Sequence, residues 1–291
     1  MAPWYEISIR LDPTKVDIAT SSLADIGHPG SEVRDAGAAG DDATLVVHVK
    51  VEDPAAAADA ARRIEAGVDA RCVSVSGEVD EAVWTTNWRN FFPRMAIGSR
   101  LEVIPPWESP DETPHGRIAV IINPGNAFGT GQHETTSSCL ELIDELLEPG
   151  DTLADIGCGT GVLAIAAVIL GAAHAVGIDN DPDAVNAAHE NAVTNNVAEK
   201  LSFHVGIGPA AALESAQCPY TLVVANIFAE NLINMSEALT SCVKPGGHLV
   251  LSGIESVRAR LVEDAFLRLG WQPGRCLVRG EWTTLALVSV D

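Results

Sequence analysis

The run Leu153-Ala-Asp-Ile-Gly-Cys-Gly-Thr-Gly161 limits the fold of this chain more than any other segment. An apolar stretch of strand length leads straight into three alternating glycines, and an apolar helix-like run begins at Val162. A strand that turns on glycines into a helix opens a βαβ unit. Glycines at 157, 159 and 161 leave the backbone bare, so that a ligand can approach it closely. The spacing is neither the G-x-G-x-x-G of a dinucleotide site nor the G-x-x-x-x-G-K-[ST] of a phosphate loop. A merely structural tight turn is the competing explanation, and two acids in register with the glycines weigh against it. Asp155 stands just before the first glycine, where it would repel a pyrophosphate and suit an ammonium-bearing ligand. Asp179 ends the next strand-like run, at the distance where a βαβ unit places an acid that accepts both ribose hydroxyls. Asp181 and Pro182 read as the N-cap and first position of the following helix, which makes Asp181 structural. A ribose acceptor and an acid for an ammonium describe S-adenosylmethionine better than NAD.

Around this unit, strand-like runs alternate with helical stretches from residue 117 onward: 153–156, 173–179, 201–205, 222–227, 248–254, 275–279 and 282–290. Such alternation predicts a mainly parallel seven-stranded sheet covered on both faces, with ligands beyond the carboxyl ends of its strands. Residues 1–79 read differently. Tyr5, Ile7, Ile9 and Leu11 alternate with polar residues, and further strands are expected at 31–36, 43–51 and 71–79, with helices at 14–26 and 54–66. The order β-α-β-β-α-β is that of a small α+β ferredoxin-like domain, whose helices cover one sheet face and leave the other for a partner. Between the two, residues 80–116 are expected to form a connector. Trp84, Trp88, Phe91 and Phe92 make a helical apolar stripe, read as packing on a domain with partner binding as the alternative, and Pro105, Pro106, Pro110 and Pro114 punctuate an acidic loop.

Composition excludes several function classes. The net charge is −22, and no cluster of Lys and Arg offers a nucleic-acid groove. Long-range attraction of a basic polypeptide and plain solubility are both compatible with that charge. The longest apolar run, 162–173, is shorter than the roughly 20 residues that span a bilayer, and the start carries no signal-peptide pattern. Six cysteines without paired spacing point away from zinc or disulfides and toward a reducing cytoplasm.

The segment Asn123-Pro-Gly-Asn-Ala-Phe-Gly-Thr-Gly-Gln-His-Glu-Thr-Thr136 raises a separate question, because its glycines and hydroxyls suit a phosphate, a metal or a cofactor. It has no lysine for a phosphate. His133 has no second ligand at metal spacing and reads as a loop histidine that fixes its own backbone. A cofactor clamp remains, with Phe128 over a flat or apolar part and Thr130 and Thr136 supplying hydroxyls.

Asp155 to Gly161 resembles motif I of the class I S-adenosylmethionine-dependent methyltransferases. The narrower pattern Pro124-Gly-x-Ala-Phe-Gly-Thr-Gly-x-His-x-Thr-Thr136 resembles the signature of the ribosomal protein L11 methyltransferase family (PrmA). So do Trp84-x-x-x-Trp88, Leu163–Ala167, Ala225–Ile227 and Leu251–Ile254, and the small N-terminal domain extends the likeness over nearly the whole chain. The resemblance implies a Rossmann-like catalytic domain over 117–291 and S-adenosylmethionine as methyl donor. The substrate it implies is ribosomal protein L11, gripped by the N-terminal domain and methylated on lysine and N-terminal amines. It assigns cofactor contacts to Thr136, Gly157, Asp179 and Asn226, to which the reading above adds Asp155, Gly159, Phe128 and Thr130. Asn226 resembles the polar residue that amine methyltransferases place beside the methyl group, and its carbonyl can accept a hydrogen bond from the incoming amine. The chain departs from the family at Asn123, commonly an aspartate, and at Phe228, where members vary. A lysine methyltransferase for another protein and a non-catalytic cofactor-binding scaffold are the alternatives.

Overall fold

The computed structural model describes residues 4–16, 19, 31–35, 42–68, 70–79, 92–123, 133–214 and 218–290. They fall into two compact units, Met1–Phe91 and Phe92–Asp291. In the first, β1 (Trp4–Leu11), β2 (Ser31–Asp35), β3 (Ala43–Lys50), α1 (Pro54–Gly67) and β4 (Cys72–Val79) follow one another. The strands pair antiparallel in the order β2-β3-β1-β4, which is the ferredoxin-like arrangement. Asp53 starts α1 by accepting the Ala56 N–H at 2.8 Å, with Pro54 at the first position, as an N-cap should. Ala57, Ala61 and Ile64 of α1 then bury themselves against Ile7, Ile9, Leu11, Leu45 and Val47. Most of the expected helix at 14–26, and Trp84 and Trp88, lie outside the described residues.

The second unit begins earlier than the sequence suggests. Residues 92–116, expected as connector and loop, carry β5 (Met95–Ile97) and β6 (Leu101–Ile104), which form a small sheet with β7 (Ile118–Ile121). Two polar anchors, one of them buried, explain why such short strands hold. Arg117 donates to the carbonyls of Ile97, Leu101 and Gly98. α2 (Glu134–Leu146) presents Asp144 to the turn at Gly98, where its carboxylate accepts the Ser99 N–H at 2.6 Å, the Ser99 hydroxyl at 3.0 Å and Arg100 Nε at 2.6 Å. Burial alone would raise this carboxyl, but the Ser99 and Arg100 donors outweigh it and hold it below the usual range.

The main sheet follows the expected alternation. Its elements are β8 (Thr152–Ile156), α3 (Val162–Ile169), β9 (His174–Asp179), α4 (Pro182–Thr194), β10 (Leu201–Val205), α5 (Ala210–Glu214), β11 (Tyr220–Asn226), α6 (Ala229–Asn234), α7 (Ser236–Ser241), β12 (Val243–Glu255), α8 (Ala259–Leu267), β13 (Gln272–Arg279) and β14 (Trp282–Val288). The strand order is β10-β9-β8-β11-β12-β14-β13. β14 runs antiparallel to β12 and β13 on either side, and the other pairings are parallel. One face packs on α2, α3 and α4 through Leu140, Leu163, Ile165 and Ala188. The other packs on α6, α7 and α8 through Leu232, Leu239, Val262 and Phe266. α3 is apolar all round and almost wholly buried, as a helix between a sheet and other helices must be. The order reverses between β8 and β11, so a crevice opens beyond their carboxyl ends. No described helix is long and apolar enough to cross a membrane.

Candidate active site

Gly157, Gly159 and Gly161 follow β8 with φ of 79°, 50° and 76°, a region that L side chains enter at a cost. At Gly157 space forbids a side chain as well, because a Cβ would lie 2.6 Å from Ile227 Cγ2. The turn is pinned to the end of β9 by Gly157 and Cys158 N–H groups donating to Ile178 O at 2.8 and 3.0 Å. Asp179 continues that contact. Its Oδ2 accepts the Gly159 N–H at 2.9 Å and its Oδ1 the Asp181 N–H at 3.0 Å. A carboxylate has about four lone-pair positions, so each oxygen keeps capacity for a ligand hydroxyl. Asp181 caps α4, accepting the Asp183 N–H at 2.9 Å ahead of Pro182, which is the structural role expected of it.

Asp155 sits at the end of β8 between Gly177 and Val224 of the flanking strands. It is fully buried, and among the described residues neither oxygen meets a donor at hydrogen-bonding geometry. Burial pushes its pKa up to about 7, while the nearby Ala164 amide pulls it down and the Asp179 charge pushes it up. An unpartnered buried acid beside a second carboxylate is a site short of positive charge. Burial and both acids also drive the Cys158 thiol far up, and burial holds Cys139 at about 12, so neither is a thiolate nucleophile.

Asn226 ends β11 on the other side of the crevice. Its Nδ2 donates to Thr136 Oγ1 at 3.3 Å, and among the described residues no bond engages its Oδ1. Thr136 lies in the first turn of α2, which His133 caps. His133 Nδ1 lies 3.4 Å from the Thr135 N and 2.8 Å from Thr135 Oγ1, and its ring meets the Trp282 edge at 5.2 Å. His133 thus fixes its own backbone. Ser252 adds a buried hydroxyl 3.2 Å from Thr135 O and 2.7 Å from Thr284 Oγ1, and Arg279 bonds Ser137 Oγ at 2.9 Å and pairs with Glu141. Sequence reasoning missed Ser252, Thr284, Arg279 and Trp282. For Ser252 and Thr284 the only signal is a hydroxyl within an otherwise apolar strand, and Arg279 and Trp282 carry none.

The structure therefore brings Asp155, Gly157, Gly159 and Asp179 together at the adjacent ends of β8 and β9, and Asn226 and Thr136 together at the end of neighbouring β11. Phe128 and Thr130 lie outside the described residues. Asn123 donates its backbone N–H to Asn191 Oδ1 at 3.0 Å, a main-chain contact that an asparagine and an aspartate make alike. Phe228, two residues past Asn226, is 71% exposed. Among the described residues no cluster of metal-ligating side chains occurs.

Comparison with known proteins agrees with this geometry. The family model described as Ribosomal protein L11 methyltransferase (PrmA) matches residues 3–289. A relative of that name from Chloroflexus aurantiacus is 32% identical over 97% of both chains. Another from Geobacter metallireducens is 42% identical over 70% of this chain and 66% of its own. A solved ribosomal protein L11 methylase from Lactobacillus delbrueckii subsp. bulgaricus superposes with a TM-score of 0.61 at 28% identity, covering 69% of this chain and all of the other. Sequence signature, sheet order and strand-end geometry converge, and the chain belongs to the ribosomal protein L11 methyltransferase family.

Proposed function

We propose that this enzyme transfers methyl groups from S-adenosylmethionine to lysine side-chain and N-terminal amines of ribosomal protein L11. The observation that carries the reading is the pairing, across one crevice, of two strand-end acids, Asp155 and Asp179, with the Asn226 amide, whose carbonyl is unengaged among the described residues. The residues suit the cofactor's chemistry. Asp179 offers two oxygens to vicinal ribose hydroxyls, and the bare turn at Gly157 and Gly159 admits the ligand to the backbone. Asp155, whose proton burial retains up to about pH 7, becomes a negative charge once a cation lies beside it. When bound, S-adenosylmethionine supplies an electrophilic methyl group on a sulfonium.

Asn226 has the remaining task of orienting the acceptor. A lysine amine must first lose its proton, which at pH 7 costs about 4.6 kcal/mol, whereas an N-terminal amine costs about 1.4 kcal/mol. Oδ1 accepts a hydrogen bond from the neutral amine and aims its lone pair, so that positioning supplies most of the acceleration. The proton passes to solvent. Thr136 holds the Asn226 amide from the opposite side, and Phe128 and Thr130 complete the clamp in this reading.

The first unit, with its ferredoxin-like sheet, grips the protein substrate, and the enzyme acts in the cytoplasm where that substrate is made. A negative surface favours the approach of a basic ribosomal protein. Intact-mass analysis of unmethylated ribosomal proteins incubated with enzyme and S-adenosylmethionine tests the assignment. Methyl-sized increments on L11 alone are expected; increments on a different protein, with none on L11, would overturn it.

A further inference from the structure

Asn226 is useful only if its amide is held at a fixed angle, and the hydrogen bonds around it form a closed ring. Along the main chain, Ile227 N–H donates to Ser252 O at 3.1 Å, and Asn226 and Ser252 face each other in the register of β11 and β12. The Ser252 hydroxyl donates to Thr135 O at 3.2 Å. The next residue, Thr136, takes the Asn226 amide through its Oγ1. The ring thus runs from Asn226 to Ile227, Ser252, Thr135, Thr136 and back.

Proton accounting fixes the direction of the remaining bond. Ser252 has one hydroxyl hydrogen and spends it on Thr135 O, so Thr284 must be the donor in the 2.7 Å contact between the two hydroxyls. All of Ser252, Thr135, Thr136 and Thr284 are within 1% of complete burial. Hydroxyls gathered inside an apolar sheet are tolerated only where each is paired, and a valine or alanine pair would fill the same space without that requirement. The β11–β12 crossing is held tight as well, since a Cβ on Gly253 would stand 2.6 Å from Ile227 O.

We infer that Ser252, oriented by Thr284, is a positioning residue that sets the angle of the Asn226 amide by locking the first turn of α2 to the end of β12. The inference rests on the role given above to Asn226. It assigns to β12 and β14 a part in the reaction through the hydroxyls of Ser252 and Thr284.

A double-mutant cycle tests it. Ser252→Ala should lower kcat roughly ten-fold or more while KM for both substrates moves less than about two-fold, because a displaced orienting group affects the reacting geometry above all. In an Asn226→Ala background the same substitution should leave kcat unchanged, while its effect on thermal stability persists. Independent, multiplying losses in the two positions would overturn the inference and leave the Asn226 assignment standing. A wild-type kcat in Asn226→Ala alone would overturn both. If Ser252→Ala does not fold, Thr284→Val replaces it in the same cycle, removing the donor that orients Ser252 at nearly constant volume.

Discussion

Replacing Asp155 with asparagine should change how the stability of the larger unit depends on pH. The carboxyl rises from 3.8 to about 7 in the folded chain, chiefly through burial. Below pH 3.8 both states are protonated and the folded state has its full stability. Between 3.8 and 7 the unfolded chain ionises while folded Asp155 keeps its proton, so stability falls across that window and levels off above it. At about 1.36 kcal/mol per pH unit the full effect is about 4 kcal/mol, and relaxation around the ionised group brings the expected measured effect to about 2 kcal/mol. Asparagine carries no such proton. Its own burial cost does not vary with pH and cancels when one pH is compared with another. The assay is urea unfolding of the cofactor-free protein at pH 4.5 and pH 8, followed by hydrogen exchange at β8 and β9 amides so that the larger unit alone is read. Asp155→Asn should gain about 2 kcal/mol relative to wild type on going from the lower to the higher pH. Parallel curves for the two proteins would refute the account of Asp155 as a buried acid without a partner.

The other predictions concern the same crevice and its supports. Asp179→Ala should weaken S-adenosylmethionine binding at least ten-fold in calorimetry with circular dichroism unchanged, since it removes the ribose acceptor and frees the Gly159 and Asp181 amides; unaltered affinity would count against that role. Gly157→Ala must adopt a φ of 79° against the Ile227 methyl at 2.6 Å. A loss of about 2 kcal/mol in unfolding free energy together with weaker cofactor binding is expected. Asp144→Asn should cost about 2 kcal/mol, less than a fully buried pair because Arg100 is 41% exposed, and should expose the Gly98 turn to proteolysis first.

Much of the fold and part of the site were legible in the sequence, for different reasons. The central strands β8, β9 and β11 announce themselves because each is a short apolar run bounded by turn residues, and the Asp181-Pro182 pair marks a helix start. β5 and β6 do not. Their three- and four-residue lengths carry no periodicity, and what holds them is Asp144 and Arg117, partners that lie 15 or more residues away and cannot be matched by pattern. The same holds within the site. Asp155, Gly157 and Asp179 are readable because their spacing along one βαβ unit is set locally. Ser252 and Thr284 are not, since their role exists only once β12 and β14 lie side by side under α2. Asn226 falls between, visible by its place after a strand but not by the hydrogen bond that orients it.

The antiparallel β14 has a consequence for timing. β12 and β13 are made before it, yet they are not neighbours in the sheet, and residues 282–288 must enter between them. A ribosome that has reached Arg279 has already made both acids, the glycine turn, Thr136 and Asn226. It has not made Thr284, nor the Trp282 edge against which His133 rests. Long-range pairing of this kind is slow relative to local structure. The nascent chain therefore carries every acid, glycine and amide assigned to the crevice before the strand that buttresses them has been made.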